Sequence, residues 1–283
     1  MQSQIIEHGP LQLAALRSGD PHNPCLLLLH GWPHSKEVYD QVVDELAVEH
    51  FVLAFDLPAV GASRGTPRSA EKMELANIVL GAAERVGARA IVIAGFDVGG
   101  MIAYAAARDH GQRIAGALVM NTVLPGLEPW SKVVSDPRIW HFAFHSVPKL
   151  PELLVSGRQR AYFDFFTEFL VGRKEAVSER HRDLFAKAYE RPESLKAGFD
   201  WYRSLEADAA RNRQTTEIET PVLYARGDAD GRSPDEYVRG LAQAGVKRVT
   251  SCVLPGSGEL SPLEVPQQLT QVLRDFAREC RGS

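Results

Sequence analysis

The 283-residue chain has few cysteines, no excess of positive charge and no long apolar segment, and each absence excludes a class of protein. Its three cysteines, Cys25, Cys252 and Cys280, are scattered and have neither disulfide nor metal-site spacing. A formal net charge of −4 provides no basic surface for nucleic acid. No segment approaches the ~20 apolar residues of a membrane-spanning helix, so no membrane partner is expected. The N-terminal residues also lack the features of a secretory signal, and we expect a cytoplasmic location.

Short apolar runs recur along the chain, and helix-length amphipathic stretches separate them. Runs that are apolar on both faces predict the strands of a mostly parallel sheet with helices on both sides, an α/β fold. In such sheets a ligand binds beyond the carboxyl ends of the strands. Segments 71–86 and 99–108 are typical of the connecting helices. The clearest strand candidates are 25–29, 51–55, 90–94, 116–120, 222–225 and 249–254.

The pattern changes between residues 126 and 205, where no convincing buried strand occurs and aromatic residues are frequent. Helical periodicity in this segment predicts an inserted helical cap. We therefore divide the chain into an α/β core, residues 1–125 and 206–283, and a cap, residues 126–205.

One turn presents Asp97. The sequence Gly95-Phe96-Asp97-Val98-Gly99 has the form Gly-x-nucleophile-x-Gly, a strained strand-to-helix turn, with Asp at its centre. A carboxylate attacks an electrophilic sp³ carbon and forms an alkyl-enzyme ester. The alternative is an Asp that only caps the helix beginning near Gly99.

A second turn, His30-Gly31-Trp32-Pro33, follows the first strong strand candidate. Beside a nucleophile elbow, the backbone N–H groups of Trp32 and Val98 would form an oxyanion hole for attack on the ester. The alternative is a strand-ending turn in which a buried His30 holds loops together.

These two turns, together with the segment 56–63, resemble the α/β-hydrolase superfamily. Within it they are most similar to the branch of epoxide hydrolases and haloalkane or haloacetate dehalogenases. The similarity covers nearly the whole chain, including cap motifs at 140–144, 162–166 and 199–203. It implies an α/β-hydrolase fold with an inserted helical cap and an Asp nucleophile. No metal or organic cofactor is expected, because the sequence has neither a ligand cluster nor a phosphate-binding loop.

The resemblance also implies roles for cap residues. Two cap side chains in epoxide hydrolases donate hydrogen bonds to the epoxide oxygen, and His141 and Tyr202 occupy those places here. For each, packing in an aromatic cap is the alternative. The resemblance implies a small apolar epoxide as substrate and is compatible with a homodimer. The predicted apolar pocket residues are Trp140, Phe142, Phe163 and Phe166.

A dehalogenase is the weaker interpretation. Fluoroacetate dehalogenases bind the substrate carboxylate with arginines, but Val98 and Met101 occupy those places here. Phe142 stands in place of their halide-binding tryptophan. Apolar side chains neither bind a carboxylate nor donate an N–H to halide.

In the family pattern, an acid and a histidine follow the nucleophile along the chain and activate water for the second step. The present chain departs from this pattern. Asp230 matches the position of the expected acid, and Asp228 is the neighbouring alternative. Some relatives carry this acid at the end of the sixth strand, where the present chain has the neutral amide Asn121. The histidine should follow the eighth strand, but Glu259 occupies its place and no histidine occurs after His181. Glu259 would lie near Asp97, and two carboxylates that share a partly dry site do not both ionise at low cost, so we expect the pKa of one of them to rise.

These residues favour an epoxide hydrolase-like enzyme that opens an epoxide through an Asp97 ester and hydrolyses the ester to a vicinal diol. The second step is altered or slow if Glu259 is protonated, whereas an ionised Glu259 could activate water. An exchange introduced to trap the ester is a third explanation of Glu259. The alternative functions are a haloalkane or haloacid dehalogenase-like hydrolase and a catalytically impaired binder of apolar ligands.

Overall fold

A computed structural model describes residues 1–282. Eight strands form one sheet in the order β1-β2-β4-β3-β5-β6-β7-β8. Every neighbouring pair is parallel except β1–β2 and β2–β4, which are antiparallel. The strands are β1 (Gln2–His8), β2 (Leu11–Ser18), β3 (Cys25–Leu29), β4 (Phe51–Phe55), β5 (Ile91–Phe96), β6 (Ile114–Met120), β7 (Val222–Gly227) and β8 (Val249–Leu254).

The interior strands are the continuous apolar runs of the sequence. All residues of β3, β4 and β5 are buried, because helices cover both faces of the sheet. The predicted α/β fold is confirmed. The hairpin of β1 and β2 was not predicted, since polar residues alternate along β1. Gly9, at φ +57°, supplies the left-handed backbone of its turn.

Helices occupy both faces of the sheet and the whole connection between β6 and β7. The predicted connecting helices at 71–86 and 99–108 correspond to α2 and α3. Within residues 1–282, no helix is both long and apolar enough to cross a bilayer. The helices are α1 (Val43–Leu46), α2 (Lys72–Arg85), α3 (Val98–Asp109), α4 (Trp130–Val134), α5 (Trp140–Ser146), α6 (Leu150–Val155), α7 (Gln159–Leu170), α8 (Glu179–Ala188), α9 (Pro192–Arg203), α10 (Leu205–Asn212), α11 (Asp235–Gln243), α12 (Ser261–Glu264) and α13 (Pro266–Glu279).

A buried lysine joins the start of α2 to the helices α9 and α10. The Nζ of Lys72, at the start of α2, donates to the carbonyl of Trp201 at 2.7 Å and to Oγ of Ser204 at 2.8 Å. It also forms an ion pair of 2.6 Å with Asp208. Burial lowers the pKa of Lys72, whereas the Asp208 carboxylate raises it. These contacts fix the end of α9, the helix that carries Tyr202.

We expect the substitution Lys72→Met to lower the free energy of unfolding by ~3–5 kcal/mol, because it leaves the Asp208 carboxylate buried without a cation. Urea unfolding followed by circular dichroism measures this change. The matched control is Lys132→Met, since the Lys132–Glu236 pair is exposed and contributes ~0–1 kcal/mol. Equal effects of the two substitutions would show that the buried ion pair does not hold these helices together.

Candidate active site

Asp97 lies in a strained turn between β5 and α3. Its backbone has φ 49° and ψ −125°, a conformation that non-glycine residues rarely adopt. The turn closes only because its neighbours are small. A Cβ on Gly95 would lie 2.4 Å from the carbonyl carbon of Gly99, and one on Gly99 would lie 2.3 Å from the carbonyl oxygen of Leu29. The turn therefore presents the Asp97 carboxyl group at the carboxyl end of the sheet.

Backbone N–H groups point at this carboxyl group. The N–H of Trp32 donates to Oδ2 of Asp97 at 2.7 Å, and the N–H of Val98 also donates to the carboxylate. Burial raises the pKa of Asp97 to about 6, while the two N–H groups and the Lys72 ammonium oppose that rise. The arrangement provides a carboxylate with two fixed donors beside it, as an oxyanion hole requires.

His30 links its own turn to the segment that follows β4. Its Nε2 accepts from the N–H of Leu57 at 3.0 Å, so Nδ1 carries the proton and donates to the carbonyl of Gly31 at 2.8 Å. Burial is the main cause that lowers the pKa of this imidazole. Both ring nitrogens are occupied, and His30 is therefore not free to act as a base.

A cavity of about 580 Å³ lies at the carboxyl ends of the strands, above Asp97. It contains most of the predicted site residues, namely Trp32, Asp97, His141, Phe142, Phe166, Tyr202, Asp230 and Glu259. Two predicted pocket residues do not line it, which corrects their assignment. Trp140, at the start of α5, is 43% exposed, and Phe163 is buried against Trp32 with ring centroids 5.4 Å apart.

Helices α5 and α9 carry His141 and Tyr202 into this cavity. Both side chains are buried and their ring centroids are 6.0 Å apart. Among the described residues, neither the imidazole of His141 nor the hydroxyl of Tyr202 has a hydrogen-bond partner. Burial lowers the pKa of His141 to about 4 and raises that of Tyr202 well above its usual value. Both groups are thus neutral at pH 7 and have a proton to donate.

Glu259, in the loop between β8 and α12, is held by its main chain. Its N–H donates to the carbonyl of Leu170 at 3.1 Å, and its carbonyl accepts from Nδ2 of Asn121 at 3.0 Å. The same Asn121 amide accepts from the N–H of Gly227 at 2.8 Å. Asn121 therefore ties the ends of β6 and β7 to the loop, and it leaves the Glu259 side chain facing the cavity.

The carboxyl groups of Glu259 and Asp97 share this cavity. Burial, and next the negative charge of Asp97, raise the pKa of Glu259 well above its usual value. The Arg226 guanidinium opposes the rise. Two carboxylates in one dry site do not both ionise at low cost. Burial and the charge of Asp97 thus favour the protonated form of Glu259, whereas the N–H groups of Trp32 and Val98 favour the ionised form of Asp97.

Arg226 is a site residue that the sequence interpretation missed. It lies at the end of β7, is buried, and lines the cavity, with its guanidinium 4.9 Å from the centroid of the Tyr237 ring. It forms an ion pair with Asp230, whose side chain is 46% exposed. Asp228 does not line the cavity and accepts from the N–H of Gly256 at 2.8 Å. The one sequence signal for Arg226 is a charge at the end of an apolar strand.

The cavity is more polar than the expected apolar pocket. Besides Arg226, the side chains of Arg138 and Arg232 line it, and Arg232 contacts Asp230. Aromatic residues of α5 and α7 line another part of its wall. The arrangement suits a ligand that has both an apolar and a polar portion.

Comparison with known proteins places this geometry in a family. The sequence profile of the α/β hydrolase fold matches residues 24–266. The chain is 25% identical over 286 residues to epoxide hydrolase 3 of Xenopus tropicalis, a match that covers 93% of this chain and 73% of that protein. It is 26% identical over 225 residues to the pimeloyl-[acyl-carrier protein] methyl ester esterase of Vibrio atlanticus, covering 78% and 82%. The structure of Cfl2 from Burkholderia cenocepacia is similar with a TM-score of 0.85 and 28% identity, covering 97% of this chain and 95% of that one. The chain belongs to the α/β hydrolase fold family.

Proposed function

We propose that the protein is an epoxide hydrolase-like enzyme with Asp97 as its nucleophile. One observation carries the proposal: the Asp97 carboxyl group shares a cavity with two unpartnered neutral donors, His141 and Tyr202. An epoxide needs a nucleophile at carbon and donors at oxygen. The similarity to epoxide hydrolase 3 supports this function. The esterase is similar at nearly the same identity, but a carboxylate nucleophile such as Asp97 suits attack at an sp³ carbon and is a poor attacker of an ester carbonyl.

In the first step, an oxygen of Asp97 forms a bond to an epoxide carbon while the bond from that carbon to the ring oxygen breaks. The ring oxygen leaves with the electron pair, and Tyr202 and His141 donate hydrogen bonds to it. These donors stabilise the charge that develops in the transition state more than the neutral epoxide. The product is an ester of Asp97 that carries a neighbouring hydroxyl group.

In the second step, water attacks the carbonyl carbon of this ester. The N–H groups of Trp32 and Val98 stabilise the oxyanion of the tetrahedral intermediate. Collapse of the intermediate breaks the ester bond, releases a vicinal diol and restores the Asp97 carboxylate.

The proposal is tested by incubating the protein with a panel of aryl and alkyl epoxides and recording intact-protein mass and diol over time. We expect an adduct that maps to Asp97 by peptide mass spectrometry, diol formation, or both. Reversible binding without adduct or diol would support an impaired binder instead. Chloroalkanes in the same panel test the dehalogenase alternative, which would give the adduct together with free halide.

The rate of adduct formation is expected to rise with pH through about 6 and then to level off. Burial raises the pKa of Asp97 to about 6, and only the ionised carboxylate attacks carbon, so labelling is lost as the pH falls through that value. Single-turnover labelling over a range of buffers measures the profile. A midpoint near the ordinary Asp value of 3.8 would mean that the attacking group is not buried.

A further inference from the structure

The candidate site has an acid and a cation where the family pattern has a histidine and a carboxylate. On the basis of the proposed function, we propose that Glu259 and Arg226 together replace the histidine and carboxylate of the family's relay. Glu259 removes a proton from the hydrolytic water once Asp97 is esterified, and Arg226 stabilises Glu259 in its ionised form. Esterification of Asp97 is the event that releases Glu259 to act as a base.

The placement of the two side chains supports this pairing. Both line the cavity that contains Asp97, Arg226 from the end of β7 and Glu259 from the loop after β8. Arg226 is fixed by its stacking on Tyr237 and by its ion pair with Asp230. Its buried Nε has no hydrogen-bond partner, and within residues 1–282 no group donates to the Glu259 carboxyl. A cation and an unpartnered acid therefore line the same cavity, although no direct ion pair joins these two described side chains.

Five titratable or charged groups act on Glu259. They are Asp97 at the start of α3, Tyr202 on α9, Arg226 at the end of β7, Asp230 in the loop after β7 and Glu264 on α12. The Glu264 carboxylate accepts four backbone N–H groups, which stabilise its charge. The Asp230 charge is paired with Arg226. Asp97 is thus the one neighbouring carboxylate whose charge the reaction itself removes.

In each catalytic cycle Glu259 takes back as many protons as it gives up, so protons are balanced. Ring opening consumes one proton, because the alkoxide becomes a hydroxyl group, and loss of the Asp97 charge allows Glu259 to give up one proton through solvent. In hydrolysis, Glu259 takes a proton from water as the water oxygen bonds to the ester carbon, and passes it to the departing alkoxide. The Asp97 carboxylic acid formed on collapse then returns a proton to Glu259. One epoxide and one water become one diol.

The experiment is a carboxyl-carbon NMR titration of the full-length protein labelled with ¹³C-glutamate, in which Glu259→Gln assigns the Glu259 signal. We expect Asp97→Asn, a neutral stand-in for the ester, to lower the midpoint of Glu259 by about one pH unit or more. Arg226→Gln should raise that midpoint by a similar amount, and Arg226→Lys should restore most of it. The control Arg232→Gln should leave the midpoint within a few tenths of a unit.

A midpoint that does not respond to Arg226→Gln, or to Asp97→Asn, would overturn the relay. If Arg226→Gln does not fold, Asp97→Asn still tests the relay, because an unchanged Glu259 midpoint in that variant overturns it. These titrations need no substrate, so they judge the relay separately from the proposed function, which fails if no epoxide gives adduct or diol. With a reactive epoxide, Glu259→Gln should slow decay of the adduct by about 10²–10⁴-fold and leave its formation within a few-fold.

Discussion

Replacing Asp97 with Asn is expected to abolish covalent labelling by epoxides and to lower diol formation by about 10⁴–10⁶-fold, as when a nucleophile is removed from other covalent hydrolases. The reason is chemical, since a neutral amide is a poor nucleophile at carbon. Intact-protein mass and diol release measure the two effects. The control Asp228→Asn should be labelled like the wild type, because Asp228 does not line the cavity.

The same substitution should leave the fold as stable as before, or more so. Burial raises the pKa of Asp97 to about 6, so above that pH the folded protein keeps an ionised group that would be better solvated in the unfolded chain. A neutral Asn removes this cost. Thermal unfolding at pH 7 measures the difference in stability. For the labelling experiment, an adduct on the Asp97→Asn protein would show that another residue is the nucleophile.

Replacing Tyr202 with Phe is expected to slow adduct formation by about 10²–10³-fold, the effect of removing one donor to a developing oxyanion. The phenyl ring keeps the packing of Tyr202 against Trp32, whose ring centroid lies 5.8 Å away, so the loss reports on the hydroxyl group. Single-turnover labelling at saturating epoxide measures the rate. Binding of the epoxide should change much less than the rate.

The matched control is Tyr162→Phe. The Tyr162 hydroxyl lies in the same aromatic cluster, but it hydrogen-bonds to Nε2 of His145 at 2.8 Å and does not line the cavity. Its removal should change labelling by less than about threefold, since it makes no contact with substrate. Equal losses in the two variants would indicate that disturbed packing, and not a missing donor, slows the reaction.

The sequence predicted those features that depend on neighbouring residues. The strands β3 to β7 are recognisable because they are apolar on both faces. The spacing of Gly95 and Gly99 around Asp97 predicts the strand-to-helix turn. The β1–β2 hairpin was missed because its pattern is short and half polar. The frequency of aromatics in the cap predicted an aromatic cluster, but it did not tell which side of α5 or α7 faces the cavity. Trp140 and Phe163 were misplaced for that reason.

The electrostatics of the site depend on contacts between distant segments, and sequence alone predicts these less well. A raised pKa for one of the carboxyls followed from placing Asp97 and Glu259 in one site. Which of the two keeps its proton depends on depth of burial, on the N–H groups beside Asp97 and on Arg226. Neither the depth nor the position of Arg226 is visible in a linear pattern. Lys72 was missed in the same way, because its partner Asp208 is 136 residues away.

The contacts of Asn121 bear on which side chains evolution can place at position 259. Leu170 and Asn121 bind the main chain of Glu259, and its side chain takes no part in closing the loop. The residue at position 259 is therefore exchangeable, and a histidine there would find the same backbone already in place. In the proposed reaction, exchanging this one side chain would shift the pH range of ester hydrolysis, and the backbone of the loop would stay as it is.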